Sequence, residues 1–347
     1  MFIARRLDAV KFPMASRPSE CTRVELPFIE QLKKMGWQHV EGDIDVPGLS
    51  PTGRQSFREV LLVDRLKAAL RRINLNEQGR EWLDESRLNR MISALERLGS
   101  VKLMEANRAA HELLLRGIPV EPENGSRDVT ARFIDFEHLE RNDFLAVNQF
   151  RVDPPGAQGG RDFIVPDIVL FVNGIPLVVV ECKAPDITNP MEEAIDQLLR
   201  YSNQREHVET DEGAERLFYY NLFMVGTHFY QARAGTVGAG FDDFLEWKDT
   251  APVPMDKVRA ELGKDTLSSQ EKLVAGMLRP AHLLDILRNF TVFTQVSGKT
   301  RKVVTRYQQF RAVHRAIARL QTGKTRREHG DTDQRGGIIW HTQGSGK

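Results

Sequence analysis

Residues 166–185 read PDIVLFVNGIPLVVVECKAP. Nearly every side chain in this stretch is apolar and β-prone. Asn173-Gly174 divides it into two runs, and that dipeptide between apolar runs is a strong hairpin signal. Asp167 opens the first strand, and Glu181 and Lys183 close the second, after Leu177-Val178-Val179-Val180. Charges at the end of a buried strand need a reason, and register decides what they can do together. A two-residue Asn-Gly loop pairs Asp167 with Val180 and sends Asp167 and Glu181 to opposite faces. A three-residue loop with Gly174 in a bulge shifts the parity, because one residue of slip flips a face. Asp167, Glu181 and Lys183 then share one face, with Asp167 and Glu181 as diagonal neighbours. A strand bend near Pro166 would do the same.

The chemistry of such a trio is specific. Mg²⁺ takes hard oxygen ligands and commonly uses one or two carboxylates with water and phosphate. A lysine two residues from the glutamate projects to the same side, where it can orient water or stabilise charge developing on phosphorus. Asp167, Glu181 and Lys183 are therefore candidates for a metal-dependent phosphodiester cleavage site. The competing reading is plain: two surface charges at a strand end, and an aspartate capping a turn.

Around this hairpin the chain reads as α/β. Helical periodicity marks 23–36, where Leu26, Ile29, Leu32 and Met35 recur and Gly36 supplies a stop. Further helices are expected over 56–73, 86–99 and 102–116, within a helical insertion of about 55–120. VTARFIDF, FLAVNQFRV, PDIVLFV and IPLVVVECK then read as four consecutive strands of a mostly sequential sheet. A helix is expected over 190–203, with Pro190 near its start and Glu192 and Glu193 in its first turn. Residues 217–233 supply at least one more strand. The segment near 249–272 reads as a linker with helical pieces.

Composition sets bounds. The 347 residues suggest about two domains, and a 41% hydrophobic fraction is enough for real cores. The net charge of +1 singles out no polyanionic partner. Two cysteines, Cys21 and Cys182, make neither a disulfide framework nor a zinc set, so a reducing cytoplasm is the default location. No apolar run approaches the roughly 20 residues of a membrane span. Residues 1–21 read as an N-terminal extension.

Three further groups stand out. Asn148 and Gln149 are polar inside the strand-like run NDFLAVNQFRV, where a hydrogen-bonded strand edge is the plain reading. Gln197 and Tyr201, spaced i, i+4, share a helical face just after the charged strand end. At the other end, RGGIIWHTQGSGK runs from a short apolar strand into a Gly-rich turn ending in Lys347. That is the form of a phosphate-binding loop, although His341 replaces its first glycine and its Ser/Thr and helix would follow Lys347. Tyr307 and Gln308 lie about 40 residues upstream, ahead of an amphipathic helix carrying Arg311, Arg315 and Arg319. An aromatic-Gln pair before a phosphate loop is the pattern that reads adenine in translocases and helicases.

Taken in order, VELPFIEQLKKMGW, NDFLAVNQFRV, PDIVLFVNGIPLVVVECK, Gln197-x-x-x-Tyr201, TRYQQFRAV and IIWHTQGSGK resemble the N-terminal part of the restriction (motor-nuclease) subunit of type I restriction-modification enzymes. The resemblance runs from about residue 22 to the end. It implies a PD-(D/E)xK (RecB-like) nuclease core over 22–250, a connection over 251–298, and the start of a RecA-like ATPase domain over 299–347. Asp167 and Glu181 match the metal-binding carboxylates and Lys183 the catalytic lysine. Gln197 and Tyr201 match an element that supports DNA handling. Glu25 falls where such folds often carry another acidic residue near the metal. Tyr307 and Gln308 match the adenine-reading motif, and Gly344, Gly346 and Lys347 the start of Walker A. The family implies Mg²⁺ in the nuclease, ATP with Mg²⁺ in the complete motor, and double-stranded DNA as substrate. It also implies methyltransferase and specificity subunits as partners. A chain ending at Walker A's lysine is expected to lack ATP hydrolysis. A nuclease of a repair helicase-nuclease fusion, a non-catalytic DNA-binding or assembly scaffold, and an ATP-binding module with a regulatory N-terminal domain are the alternatives.

Overall fold

The hairpin at the centre of the sequence is also the centre of the computed structural model, which describes residues 19–122, 127–154, 163–205 and 212–341. Most of the N-terminal extension therefore lies outside the described residues. Strands β5 (Ile168–Val172) and β6 (Ile175–Cys182) are buried along their whole length. They occupy the middle of a seven-stranded sheet in the order β1-β4-β5-β6-β7-β8-β9. The other strands are β1 (Gln38–Glu41), β4 (Phe144–Asn148), β7 (Phe223–Thr227), β8 (Ala232–Gly235) and β9 (Leu245–Glu246). The sheet is mixed: β1 with β4 and β6 with β7 run parallel, and the other pairs are antiparallel. The chain is thus α/β with a nearly sequential sheet, as its sequence predicts.

One strand differs from expectation. VTARFIDF does not enter the main sheet; β3 (Val129–Ala131) pairs instead with β2 (Ile118–Val120) in a separate two-stranded ribbon. Its place beside β4 is taken by β1, a four-residue strand with no alternating apolar pattern. Tertiary packing creates β1: α1 (Leu26–Lys34) buries Phe28, Ile29 and Leu32 and hands the chain through Gly36 and buried Trp37 to the sheet edge.

The helical insertion is present as α2 (Val63–Ile73), α3 (Glu85–Glu96) and α4 (Leu103–Arg116). Helix α5 (Pro190–Tyr201) makes the crossover that parallel β6 and β7 require. It begins at Pro190 with Glu192 and Glu193 in its first turn, which suits both the missing proline N–H and the dipole. Beyond residue 250 lie α6 (Met255–Leu262), α7 (Ser269–Met277), α8 (Pro280–Asn289), the hairpin β10 (Thr291–Val296) and β11 (Lys299–Val304), and α9 (Tyr307–Thr322). Leu273, Leu283, Leu287 and Phe310 from these elements are buried in the same apolar core as β5 and β6.

The register of β5 and β6 is set in two steps. Asn173 and Gly174 have φ of +53° and +76°, the geometry of a tight two-residue hairpin turn. The turn pairs Val172 with Ile175 and Phe171 with Pro176. The next pair is Leu170 with Val178, so Leu177 is an extra residue in β6. The parity shift therefore comes from a bulge inside the strand, not from a three-residue loop. Pro176 has no N–H for the ladder, which makes the adjacent position a natural place for the irregularity.

Asn173 fits the turn twice over. It accepts a left-handed backbone more readily than most residues. Its buried side chain donates to Phe133 O and Asn142 Oδ1, both at 2.9 Å, and accepts from Asp143 N at 2.7 Å. Asn173→Ala is expected to cost about 3–5 kcal/mol, from lost buried hydrogen bonds and a strained backbone. Asn173→Gly should cost about 1–2 kcal/mol less, because it keeps the turn. Urea unfolding at unchanged m-value checks both.

Lys302 on β11 ties the last hairpin to the sheet domain. It is buried, and its Nζ donates to Asn107 Oδ1 of α4 at 2.9 Å and to Asn221 O ahead of β7 at 2.7 Å. Burial without a counter-charge pushes its ammonium down to about 7. Between that value and the roughly 10.4 of an unfolded lysine, the unfolded chain binds the extra proton, so stability rises with pH across that window. The slope from this group approaches about 1.4 kcal/mol per pH unit. Lys302→Met should remove that slope in denaturant titrations at a series of pH values from neutral to alkaline.

Candidate active site

The bulge at Leu177 aligns three strands. Carrying the β4–β5 and β5–β6 registers one residue beyond Asn148↔Ile168 and Ile168↔Val180 puts Gln149, Asp167 and Glu181 directly opposite one another. Directly opposed residues share a face. Asp167 and Glu181 are thus immediate cross-strand neighbours rather than diagonal ones. Lys183, two residues past Glu181, returns to the same side, and its Nζ donates to Glu181 Oε1 at 2.6 Å. The sequence-predicted trio converges.

The same row continues to Gly226 of β7, paired with Glu181. A Cβ at Gly226 would stand 3.2 Å from Ala194 Cβ and 3.5 Å from Met191 Sδ, so the absent side chain is what lets α5 lie close over this face. That contact carries Gln197 and Tyr201 toward the carboxylates. Gln197 Nε2 donates to the Tyr201 hydroxyl, and that hydroxyl donates to Val165 O at 3.1 Å. Tyr201 is buried, and burial followed by the nearby Glu181 charge pushes its phenol up. The pair acts as a brace on the backbone two residues ahead of Asp167.

The electrostatics are unusual for a strand end. Asp167 Oδ2 accepts from Cys182 N at 2.7 Å, and Oδ1 accepts from Gln149 Nε2 at 3.3 Å. Burial raises Asp167 to about 6 despite these bonds. Glu181 is only 1% exposed; burial, then the facing Asp167, pushes its carboxyl well up. Its Oε2 is buried without a hydrogen-bond partner. Burial also raises Glu25 to about 7, against the lowering effect of a hydrogen bond from Asn148. Asn148 Nδ2 donates to Glu25 Oε1 at 2.9 Å, and Asn148 Oδ1 lies 2.9 Å from His39 Nε2.

A buried carboxylate pair with one unsatisfied oxygen is chemistry suited to a cation. Two carboxylates are also enough for Mg²⁺ when water and phosphate complete the shell. Asp167 and Glu181 fit that role. Glu25 lies close enough for the Asp167 charge to raise it, but among the described residues no three His, Cys, Asp or Glu side chains form a common metal-binding group. Asn148 and Gln149, polar residues that stand out inside a strand-like run of the sequence, lie at this site, whereas sequence reasoning left out Gly226, whose role arises only from close approach.

The second predicted site is only partly described. Tyr307 and Gln308 open α9 and line a cleft of about 920 Å³ with Phe244, Trp247 and Phe290. Tyr307 meets Trp247 edge-on, with ring centroids 6.4 Å apart, and Gln308 Oε1 is buried without a hydrogen-bond partner. Arg311 pairs with Asp249 at 2.7 Å, so one member of the arginine stripe serves the fold. Gly344, Gly346 and Lys347 lie outside the described residues. No helix among the described residues is long and apolar enough to cross a membrane.

The family described as Type I restriction enzyme R protein N terminus matches residues 17–243, and that described as SWI2/SNF2 ATPase matches residues 308–347. The chain is 34% identical over 328 residues to the type I restriction enzyme HindI endonuclease subunit of Haemophilus influenzae, covering 93% of this chain and 28% of that protein. A Methanocaldococcus jannaschii protein, provisionally named the type I restriction enzyme MjaIXP endonuclease subunit, is 26% identical over 346 residues, covering 96% of this chain and 31% of the relative. An Escherichia coli relative, the type I restriction enzyme EcoprrI endonuclease subunit, is 23% identical over 311 residues, 87% of this chain and 88% of that protein. The chain thus spans less than a third of the first two relatives. With the R-protein family matching well over half of its residues, the chain belongs to the type I restriction enzyme R protein N-terminus family.

Proposed function

We propose that this chain carries the Mg²⁺-dependent DNA endonuclease domain of an ATP-dependent type I restriction enzyme, built on a PD-(D/E)xK core. The observation that carries the reading is the convergence of buried Asp167 and Glu181 with Lys183 at one end of β5 and β6. Asp167 and Glu181 would hold the ion, and Glu181 Oε2 is buried without a hydrogen-bond partner. Bound there, Mg²⁺ supplies Lewis-acid polarisation of the phosphodiester and a more acidic attacking water. Lys183 Nζ, held within the site by Glu181 Oε1, orients that water and meets the charge that develops on phosphorus. Cys182 N and Gln149 fix the Asp167 carboxylate, and the Tyr201 hydroxyl fixes the backbone that leads into it.

Double-stranded DNA is the substrate in this reading, and cleavage follows translocation by the complete motor. Tyr307 and Gln308 form the base-reading side of an ATP site that Gly344, Gly346 and Lys347 would complete in a RecA-like domain. The match of residues 308–347 to SWI2/SNF2 ATPases supports that assignment. Methyltransferase and specificity subunits are the partners, in the cytoplasm.

Titration of Mn²⁺ or Mg²⁺ by calorimetry, followed by nicking of supercoiled plasmid, tests the proposal. Wild type should bind the ion, and Glu181→Ala should lose measurable binding. Lys183→Met should keep the ion but lower nicking about 10²–10³-fold. A folded wild-type chain that binds no ion would remove the metal site and favour the scaffold reading. Ion binding without nicking would place the control of cleavage in the missing subunits.

A further inference from the structure

Consecutive residues of a regular strand project to opposite faces. Asn148 and Gln149 instead both turn their amides to neighbouring carboxylates, Asn148 Nδ2 to Glu25 Oε1 at 2.9 Å and Gln149 Nε2 to Asp167 Oδ1 at 3.3 Å. The cause is local. β4 ends at Asn148, and Gln149 takes φ of +51°, a left-handed conformation that is rare outside glycine. The turn holds Gln149 against Asp167 by main chain and side chain together: Gln149 N donates to Asp167 O at 2.8 Å, and Nε2 donates to Asp167 Oδ1 at 3.3 Å. One amide NH₂ carries two hydrogens, enough for two acceptors. Gln149 gives one of them to Asp167.

The neighbouring chain is shaped to permit this. Gly42, just past β1, donates to Asn148 O at 2.8 Å. A Cβ at Gly42 would meet Gln149 O at 2.4 Å and Asn148 O at 2.6 Å. Behind them, His39 Nε2 at 2.9 Å from Asn148 Oδ1 fixes which end of that amide faces Glu25. Strained backbone gathered beside a candidate site is a marker of function when the surrounding structure holds it in place.

We propose that Gln149 is a positioning residue for the cation site, its amide fixing the direction of the Asp167 carboxylate while Glu181 Oε2 stays open to the ion. This inference rests on the nuclease reading above. Gln149 touches no reacting atom. It sets where one metal ligand points. Outer partners of this kind commonly govern metal affinity by 10–100-fold.

The test uses the 347-residue chain, Mn²⁺ as probe, and the variants Gln149→Gly and Gln149→Asn. Both replacements tolerate the left-handed backbone; the first removes the amide and the second withdraws it by one methylene. Mn²⁺ affinity by calorimetry should fall about tenfold or more in each, with an altered electron paramagnetic resonance spectrum of the bound ion. The thermal midpoint of the metal-free protein serves as the folding control, and Glu181→Ala runs beside them. A folded variant that binds Mn²⁺ with wild-type affinity and spectrum overturns the positioning role and leaves the nuclease reading intact. Wild type that binds no Mn²⁺, or Glu181→Ala that binds it unchanged, overturns the metal-site reading and this inference with it.

Discussion

Everything at this site depends on one extra residue in a strand. Without the bulge at Leu177, the Asn173-Gly174 turn would carry its register unchanged to the strand ends and pair Asp167 with Val180. Asp167 and Glu181 would then face opposite sides of the sheet. With the bulge, they oppose each other, and Lys183 returns to the same face. Proline at position 176 makes the irregularity cheap, because it has no ladder N–H to lose. The displaced strand is not left unpaired: Leu177 O accepts from Leu222 N at 2.6 Å on the β7 side. A packing detail in the core therefore sets the geometry of the site two turns of pleat away.

Much of this was legible in the sequence. The apolar runs on either side of Asn173-Gly174 define two buried strands, and the crossover helix declares itself through Pro190, Glu192 and Glu193. The spacing of Glu181 and Lys183 already puts them on one face. Other elements gave no such sign. The four residues of β1 include Gln38, His39 and Glu41 and alternate nothing; only the helix that precedes them and the partner strand β4 make them a strand. VTARFIDF carries a better strand pattern yet pairs outside the main sheet, because a strand's place is decided by its partner and not by its propensity. The source of the parity shift was ambiguous for a related reason. Turn chemistry is local and can be read, whereas a bulge reflects the fit of two long strands.

Gln149 and Gly226 show a second limit. Neither is a catalytic residue type at a recognisable spacing. Gly226 matters because α5 crosses where its side chain would be, and that crossing sets Tyr201 against Val165 O. Gln149 matters because it stands in the same cross-strand row as Asp167 and Glu181. The row is a property of the assembled sheet. A linear sequence spreads its members over residues 149, 167, 181 and 226, with no period connecting them.

The arrangement works against stability, and that is informative. Two facing carboxylates, both raised by burial and Glu181 also by the Asp167 charge, destabilise the fold when both ionise. One lysine is hydrogen-bonded to the Glu181 side of the pair, leaving Oε2 of that residue buried and unsatisfied. A scaffold would gain by replacing these groups with apolar side chains, since buried ion pairs seldom outperform well-packed hydrophobic residues. The surrounding strands are entirely apolar and could accommodate such a change without losing the sheet. Retaining Asp167, Glu181 and Lys183 at this position is physically reasonable when a cation supplies the missing charge. The same argument accounts for the amides on the opposite side: Gln149 donates to Asp167 and Asn148 to the neighbouring Glu25 without neutralising either, so Asp167 stays fixed in direction and the site still short of positive charge.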